Sequence, residues 1–385
     1  MTEHTITNAR KITSHKKCCQ WKCSKPGQLP RSIVSTISQK YFITVFYHSP
    51  SNWYNKYMIY IENRENDPAY NLAFEEYVFS KMNFDEPVLL LWQNGPAVIV
   101  GKYQNTIEEI NYDFIQDNDI SVIRRNTGGG AVYHDLGNLN YSFIIPDVQT
   151  KVDFKTFTIP VVKALQAQGI NAVQTGRNDI LVDGQKFSGN AQQFRNHRLL
   201  HHGTLMFDVN MDNVAKALKV KPGKFKSKAT KSVRSRVTNL KPFFEGSEVN
   251  TTTDFKEMLL EWFDKEYKLK VVELTEEQHR DILTLREEKY GTDEWNYGHS
   301  PKADVVRGDF FRCGQIEFHF SIDKHRIKSV KIMGDFFSSR DVAELEKMFT
   351  GAEYEKESLL LILKEAELDA YFGDVTAEEL AEVIV

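Results

Sequence analysis

Ile120-Ser121-Val122-Ile123-Arg124-Arg125-Asn126-Thr127-Gly128-Gly129-Gly130-Ala131-Val132-Tyr133-His134-Asp135 runs from one strand-like stretch toward another, Leu139–Ile145. The apolar ends predict strands, and the glycine run between them predicts a connecting loop. Three successive glycines lack Cβ atoms, so a ligand can approach their backbone N–H groups closely. Arg124 and Arg125 add positive charge and forked donors suited to a phosphate or carboxylate. The same glycines would also suit a plain tight turn, and the stretch alone leaves both readings open.

Working outward, short strands alternate with tight turns. Asp67-Pro68 starts a helix that continues through Leu72, Phe74, Tyr77, Val78 and Met82. Val88–Trp92 and Ala97–Val100 are apolar runs joined by Gln93-Asn94-Gly95-Pro96, which predicts a hairpin. Ile107–Asp117 reads as a helix, and Phe154–Gln168 as another ended by Gly169. Ile180–Val182 and Gln185–Phe187 flank Asp183-Gly184, a second hairpin signal; Leu199–Val209 reads as strand and Asp212–Leu218 as a short helix. Strands joined by short turns with helices interspersed predict an α+β fold with a largely antiparallel sheet. Beyond Gly298-His299-Ser300-Pro301 the texture changes: Gln315–Ile322 and Ile327–Met333 alternate, and three amphipathic stretches follow. The expected organisation is a catalytic domain over 58–300, a small α+β domain over 301–385 and an unassigned basic extension over 1–57.

Composition narrows the function classes. With 41% hydrophobic and 26% charged residues the chain is that of an ordinary globular protein. No apolar run approaches the roughly 20 residues that span a bilayer, Tyr41–Tyr47 being far too short. Residues 1–57 hold nine Lys/Arg and one acid, Glu3, which leaves a net −12 on the remainder. That segment has the composition of a targeting or upstream sequence, although a transit peptide would be richer in arginine. Of four cysteines, Cys18, Cys19 and Cys23 lie within it and Cys313 follows a cysteine-free span from Met58 to Arg312. This excludes a disulfide framework for the core and points to a reducing compartment, the cytoplasm, or the mitochondrion if residues 1–57 are a targeting segment. No second ligand pair at zinc-site spacing accompanies the N-terminal cysteines.

Three further segments carry chemistry. Gly176-Arg177-Asn178-Asp179 precedes Lys186, which sits on a hairpin strand beside Ser188, Gly189 and Ala191; small neighbours let a lysine point into a cleft, as an alternative to solvent. His201 and His202 are adjacent on a strand, so at most one faces a given site. Lys219–Arg236 packs eight Lys/Arg into eighteen residues, a basic loop able to guide ATP, pyrophosphate or an acidic partner. Only Phe225 interrupts it as an aromatic, and no nucleic-acid signature accompanies it.

Together these segments resemble the lipoate–protein ligase family. The resemblance rests on Arg124-Arg125-x-x-Gly128-Gly129-Gly130-Ala131-Val132-Tyr133-His134-Asp135-x-Gly137-Asn138, Gly176-Arg177-Asn178-Asp179, Lys186-x-x-Gly189-x-Ala191, His201-His202-Gly203-Thr204, Ser232-Val233-Arg234-Ser235-Arg236-Val237-Thr238-Asn239-Leu240 and Trp295-Asn296-Tyr297-Gly298. Residues 1–57 have no counterpart. It implies a mixed, largely antiparallel sheet of the biotin/lipoate ligase type. It implies ATP and Mg²⁺, with lipoate as substrate, forming lipoyl-AMP and then a lipoyl-lysine. The acceptors it implies are E2 subunits of 2-oxoacid dehydrogenases and the glycine-cleavage H protein, with no nucleic acid, no membrane and a monomeric enzyme. The family pattern puts Arg125, Gly128, Gly129, Gly130, Ala131, Val132, Tyr133, Asn178, Asp179, Lys186, Gly189 and Ala191 at the ATP and lipoyl-AMP site. Lys186 would be catalytic and would bind lipoate together with Arg125 and His202, with Asp179 a Mg²⁺ contact. Among relatives, octanoyltransferases and lipoyl amidotransferases need a cysteine that residues 58–312 lack; biotin ligases have a glycine loop richer in arginine. A non-catalytic lipoate binder would need neither Lys186 nor the basic loop.

Overall fold

The computed structural model describes residues 57–148, 153–176, 178–219, 237–298 and 303–385. Residues 1–56 of the N-terminal extension, 149–152, Arg177, the basic stretch 220–236 and the linker 299–302 lie outside the described residues.

The main sheet has eight strands in the order β11-β1-β2-β6-β10-β9-β8-β7. They are β1 (Met58–Ile61), β2 (Val88–Trp92), β6 (Asn138–Ile145), β7 (Ala172–Thr175), β8 (Asp179–Val182), β9 (Gln185–Arg195), β10 (Arg198–Met206) and β11 (Leu269–Val272). β11, β1 and β2 run parallel and the remaining neighbours antiparallel, so the fold is α+β with a mixed sheet. β6 shows why it lies mid-sheet: all eight of its residues are buried. Its odd positions, Leu139, Tyr141, Phe143 and Ile145, join a core beneath the helices Phe154–Ala167 and Thr252–Tyr267, where Phe143 meets Phe157 and Phe263. Its even positions, Asn138, Asn140, Ser142 and Ile144, face the opposite side. There the helix Pro68–Ser80, capped by the Asp67 carboxylate on Ala69 N–H at 2.9 Å, packs with Leu90, Trp92 and Ile144.

A second, three-stranded sheet has the order β4-β3-β5, from β3 (Ala97–Val100), β4 (Ser121–Arg124) and β5 (Val132–His134). The expected hairpin between Val88–Trp92 and Ala97–Val100 does not form. Each strand is wholly buried and takes two other partners, β1 and β6 for β2, β4 and β5 for β3. The side chain of Asn71 holds the connection apart by donating to Gln93 O and Asn94 Oδ1, while Gly95 N–H donates to Asn66 O. The expected helix Ile107–Asp117 is two short ones, Thr106–Glu109 and Tyr112–Asp117, because Ile110 is extended and bridges to Leu218.

The C-terminal part has its own sheet, β12 (Val305–Phe311), β13 (Gly314–Asp323) and β14 (Arg326–Gly334), covered by the helices Val342–Phe349, Lys356–Glu365, Leu368–Phe372 and Ala377–Ile384. The sequence predicts only two of these strands. β12 is an edge strand whose residues are mostly exposed, so it lacks the alternation that marks the other two. Phe318, Phe320, Phe349, Leu359 and Leu380 form the core here. The turn after β14 meets the rest of the molecule: Phe336 stacks on Tyr103 at 4.9 Å, and Gly334 N–H donates to Tyr103 O. Among the described residues no helix is long and apolar enough to cross a membrane.

Candidate functional site

The sheet face opposite the helices Phe154–Ala167 and Thr252–Tyr267 carries a row of side chains across five strands. Trp92 pairs with Asn140, and Asn140 with Thr204. Thr204 Oγ1 accepts from Gly189 N–H at 3.2 Å, and Gly189 pairs with Asp179. One residue pair along, Ser142 aligns with His202 and His202 with Ala191. Above this floor lie the glycine loop, His134 of β5 and Leu72, enclosing a cleft of about 170 Å³. Arg125, Gly129, Gly130, Ala131, Val132, Asn178, Lys186, Gly189, Ala191 and His202 all line it. Gly128, Tyr133 and Asp179 do not line it. Gly128 packs on the C-terminal part, where an added Cβ would sit 2.3 Å from Phe336 O. Tyr133 turns to the opposite side of β5, into the core around Val98 and Ile115, and its hydroxyl accepts from Asn213 Nδ2 at 3.1 Å.

Lys186 sits at the β8–β9 end of the row. Its Nζ is 2.7 Å from Asp179 Oδ1, and both side chains remain 37–38% exposed. A Cβ at Gly189 would fall 3.1 Å from the same Nζ, so glycine there leaves room for the ammonium over the strand. Asn178 is clamped beside it: its amide donates to Asn190 O, and its carbonyl accepts from both Asn190 N–H groups.

The two arginines do different things. Arg124 is completely buried and donates to the carbonyls of Gly101, Lys102, Gln104, Trp295 and Asn296 and to Thr106 Oγ1. It is committed to tying loops together, away from any ligand. Arg125 donates to Thr127 Oγ1, Ile99 O, Gly128 O and Gly130 O, so its fork moulds the glycine loop from within. Burial lowers both guanidinium pKa values to about 10, which leaves them charged at neutral pH.

The loop is also held from below. His202 Nδ1 lies 2.9 and 3.0 Å from the two Glu75 carboxylate oxygens and donates to them. Its Nε2 lies 2.8 Å from the Thr127 hydroxyl, whose oxygen accepts from Arg125 Nε. Ser142 Oγ–H donates to Glu75 Oε1 at 2.6 Å. This buried chain couples β6, β10 and the helix Pro68–Ser80 to the glycine loop. His201, its neighbour, points to the other face and stacks on Phe157 at 5.0 Å; burial pushes its pKa well below the usual range. Sequence reasoning missed Glu75, Thr127, Ser142, Asn140 and Trp92. Glu75 had a readable signal, a carboxylate in a helix whose other faces are largely apolar. Phe337, which reaches the cleft from the C-terminal part, had none.

The three glycines divide likewise. Gly129 has φ +90° and its N–H donates to Phe336 O at 3.3 Å, while Gly130 has open space where a Cβ would go. Among the described residues no group of three His, Cys, Asp or Glu side chains could hold a metal ion.

Residues 67–264 match the family model of the lipoyl protein ligase A/B catalytic domain, and residues 300–384 that of the bacterial lipoate protein ligase C-terminus. The chain belongs to the lipoate–protein ligase family. A lipoate-protein ligase of Bacillus subtilis is 43% identical over 337 residues, covering 85% of this chain and 100% of that protein. Among solved structures, LipL1 of P. falciparum in complex with lipoate matches with a TM-score of 0.67 at 26% identity, over 81% of this chain and 95% of that one. A lipoate-protein ligase A bound with ATP matches with a TM-score of 0.53 at 26% identity, over 64% of this chain and 99% of that one.

Proposed function

We propose that the chain activates lipoate with ATP and transfers the lipoyl group to a lysine of an acceptor protein. A lipoate carboxylate oxygen attacks the α-phosphorus of ATP, pyrophosphate leaves and lipoyl-AMP forms. The acceptor lysine amine then attacks the acyl carbonyl, AMP leaves, and an amide results. No enzyme nucleophile is needed, which agrees with a sequence free of cysteine from Met58 to Arg312.

The observation that carries this reading is Lys186 at one end of a narrow cleft, over Gly189, with Asp179 as its counter-ion. Two anions must meet for the first step, and a preorganised ammonium offsets their repulsion where charge develops. Lys186 can exchange its carboxylate partner from Asp179 to the substrate with little structural change. Arg125 adds a buried positive charge behind the loop, which makes the loop attractive to anions. Gly130, Ala131, Val132, Asn178 and Ala191 would line the nucleotide and acyl sites, with Gly128, Gly129 and Tyr133 shaping the loop around them. His202 would hold the acyl side of the site through Glu75.

Mg²⁺ binds to proteins through one or two carboxylates plus substrate phosphates. A single carboxylate, Asp179, fits that pattern, and the ion would neutralise the triphosphate. Catalysis is assigned to residues 58–300 and an accessory role to 301–385. The acceptors proposed are lipoyl domains of 2-oxoacid dehydrogenase E2 subunits and the glycine-cleavage H protein. The test is incubation of the protein with lipoate, Mg²⁺ and a purified acceptor domain, with and without ATP. A lipoyl mass increase that requires ATP is the expected result. Acylation without ATP from an octanoylated or lipoylated donor protein would replace this reading with a transferase.

A further inference from the structure

Lys186 reaches the cleft only because β9 is irregular beside it. Asp179 pairs with Gly189 and Ile180 with Ser188, whereas Leu181 pairs with Lys186 and Val182 with Gln185. The register therefore shifts by one residue, and Phe187 has no partner in this ladder. Phe187 and Ser188 are both buried, Phe187 in the core beneath the helix Phe154–Ala167. In a regular strand Lys186 and Gly189 would face opposite sides. The bulge brings both to the cleft, and moving it past Lys186 would turn the ammonium away. The pairing of β8 with β9 must therefore be pinned on the far side of the bulge.

Asn190 is placed to do this. Its backbone N–H and its side-chain Nδ2 both donate to Asn178 O at 3.0 Å, and its own carbonyl accepts from Asn178 Nδ2 at 2.9 Å. Asn178 immediately precedes Asp179, the counter-ion of Lys186. Gly189 and Ala191, on either side of Asn190, line the cleft, so the Asn190 side chain goes to the opposite face. There it crosses Gly203 to meet Tyr141, the three residues aligning across β9, β10 and β6. A Cβ on Gly203 would sit 2.0 Å from Asn190 Oδ1 and 2.7 Å from Tyr141 Cε1, so only glycine leaves this path open.

The Asn190 amide cannot turn over, because a one-way chain of donors ends on it. Gln192 Nε2 lies 3.5 Å from Asp153 O and 3.0 Å from His201 Nδ1. An amide nitrogen only donates, so His201 Nδ1 accepts. Burial keeps His201 neutral with its proton on Nε2, 3.5 Å from the Tyr141 hydroxyl. Burial also raises the Tyr141 pKa, so the hydroxyl keeps its proton and donates it to Asn190 Oδ1. Asn190 Nδ2 is thereby left facing Asn178 O and Ser188 Oγ. We infer that Asn190 is a positioning residue for the proposed activation of lipoate, a role that rests on the ligase reading. From the far face of the sheet it holds Asn178 and Asp179 in the register that aims Lys186 into the cleft.

Denaturant unfolding and lipoate-dependent exchange of labelled pyrophosphate into ATP, both on the full chain, test this together. Asn190→Leu combined with Tyr141→Phe replaces both hydrogen-bonding partners by apolar side chains of similar size, so neither is left unmatched and the fold should tolerate the pair. The kcat per folded molecule should nevertheless fall by about tenfold or more, with KM for lipoate within about threefold of wild type, because the ammonium is misplaced. Asn190→Asp keeps the size and still accepts from Tyr141 but cannot donate to Asn178 O, and should show the same split. A third measurement needs no variant: in wild type the Asn190 amide hydrogen should be replaced by deuterium as slowly as the amides of β10. Wild-type kcat in either folded variant, or an Asn190 amide that takes up deuterium freely, would overturn the inference and leave the ligase reading standing. No pyrophosphate exchange in wild type would overturn the ligase reading and this role with it.

Discussion

Replacing Lys186 by Met keeps the aliphatic stem and deletes the charge. Its one ion pair, to Asp179 at 2.7 Å, joins two side chains that are each more than a third exposed, at 37% and 38%. Pairs of that exposure contribute between 0 and about 1 kcal/mol, so unfolding free energy should change by less than about 1 kcal/mol. The chemical step should change far more. Loss of one preorganised group that stabilises developing charge costs about 10²–10³ in rate, equivalent to about 2.7–4 kcal/mol. The structure therefore predicts a split: stability nearly unchanged, activation slowed at least a hundredfold. Denaturant unfolding measures the first and lipoate-dependent formation of pyrophosphate from ATP the second. Activity within threefold of wild type would refute the role given to Lys186. A large loss of stability in step with activity would refute the view that its ion pair is incidental to the fold.

Other predictions follow from particular contacts. Gly130→Ala should leave stability within about 0.5 kcal/mol, because no atom lies within 4 Å of the new Cβ. The same change should weaken activation about tenfold by standing where substrate approaches; Gly128→Ala should instead cost about 1–3 kcal/mol in unfolding, since it strikes Phe336 O. Arg124→Met strips the donor from five carbonyls and should destabilise the fold by about 3–5 kcal/mol in denaturant titrations; a change below about 1 kcal/mol would contradict its bracing role. His134 and His201 are held neutral in the folded chain, whereas in the unfolded chain a histidine takes up its proton near pH 6.5. The unfolded state then binds more protons, so stability should fall as pH drops below 6.5, and for His134 down to about 3. The slope should reach about 1.4 kcal/mol per pH unit for each histidine, and His134→Phe should remove one share of it. An unaltered slope in that variant would reject the assignment.

Local chemistry was legible where it was strictly local. The Asp67-Pro68 cap, the Asp183-Gly184 turn and the opposite facing of His201 and His202 follow from neighbouring residues, and the structure has each of them. What failed depended on partners far along the chain. Two apolar runs beside Gly95-Pro96 resemble a hairpin, yet each was already matched to other strands, a fact carried by Asn71 more than twenty positions away. Arg124 and Arg125 look alike as neighbours; only tertiary structure separates a loop brace from a residue that lines the cleft. The glycine run conceals a similar division, because Gly128 and Gly129 accommodate Phe336 and Phe337 from a segment some two hundred residues later. Glu75 and Asn140 stand out as polar positions in largely apolar or alternating elements, but nothing local says which distant groups they meet, Glu75 meeting His202 and Ser142 of later strands.

In the proposed function, the cleft from Trp92 to Lys186 forms an acyl-adenylate from lipoate and ATP. Exchange of labelled pyrophosphate into ATP, with the acceptor protein absent, tests it most directly. Exchange should require both lipoate and Mg²⁺ and be lost in Lys186→Met. Exchange that proceeds without lipoate, or none in a preparation that still lipoylates an acceptor, would contradict it.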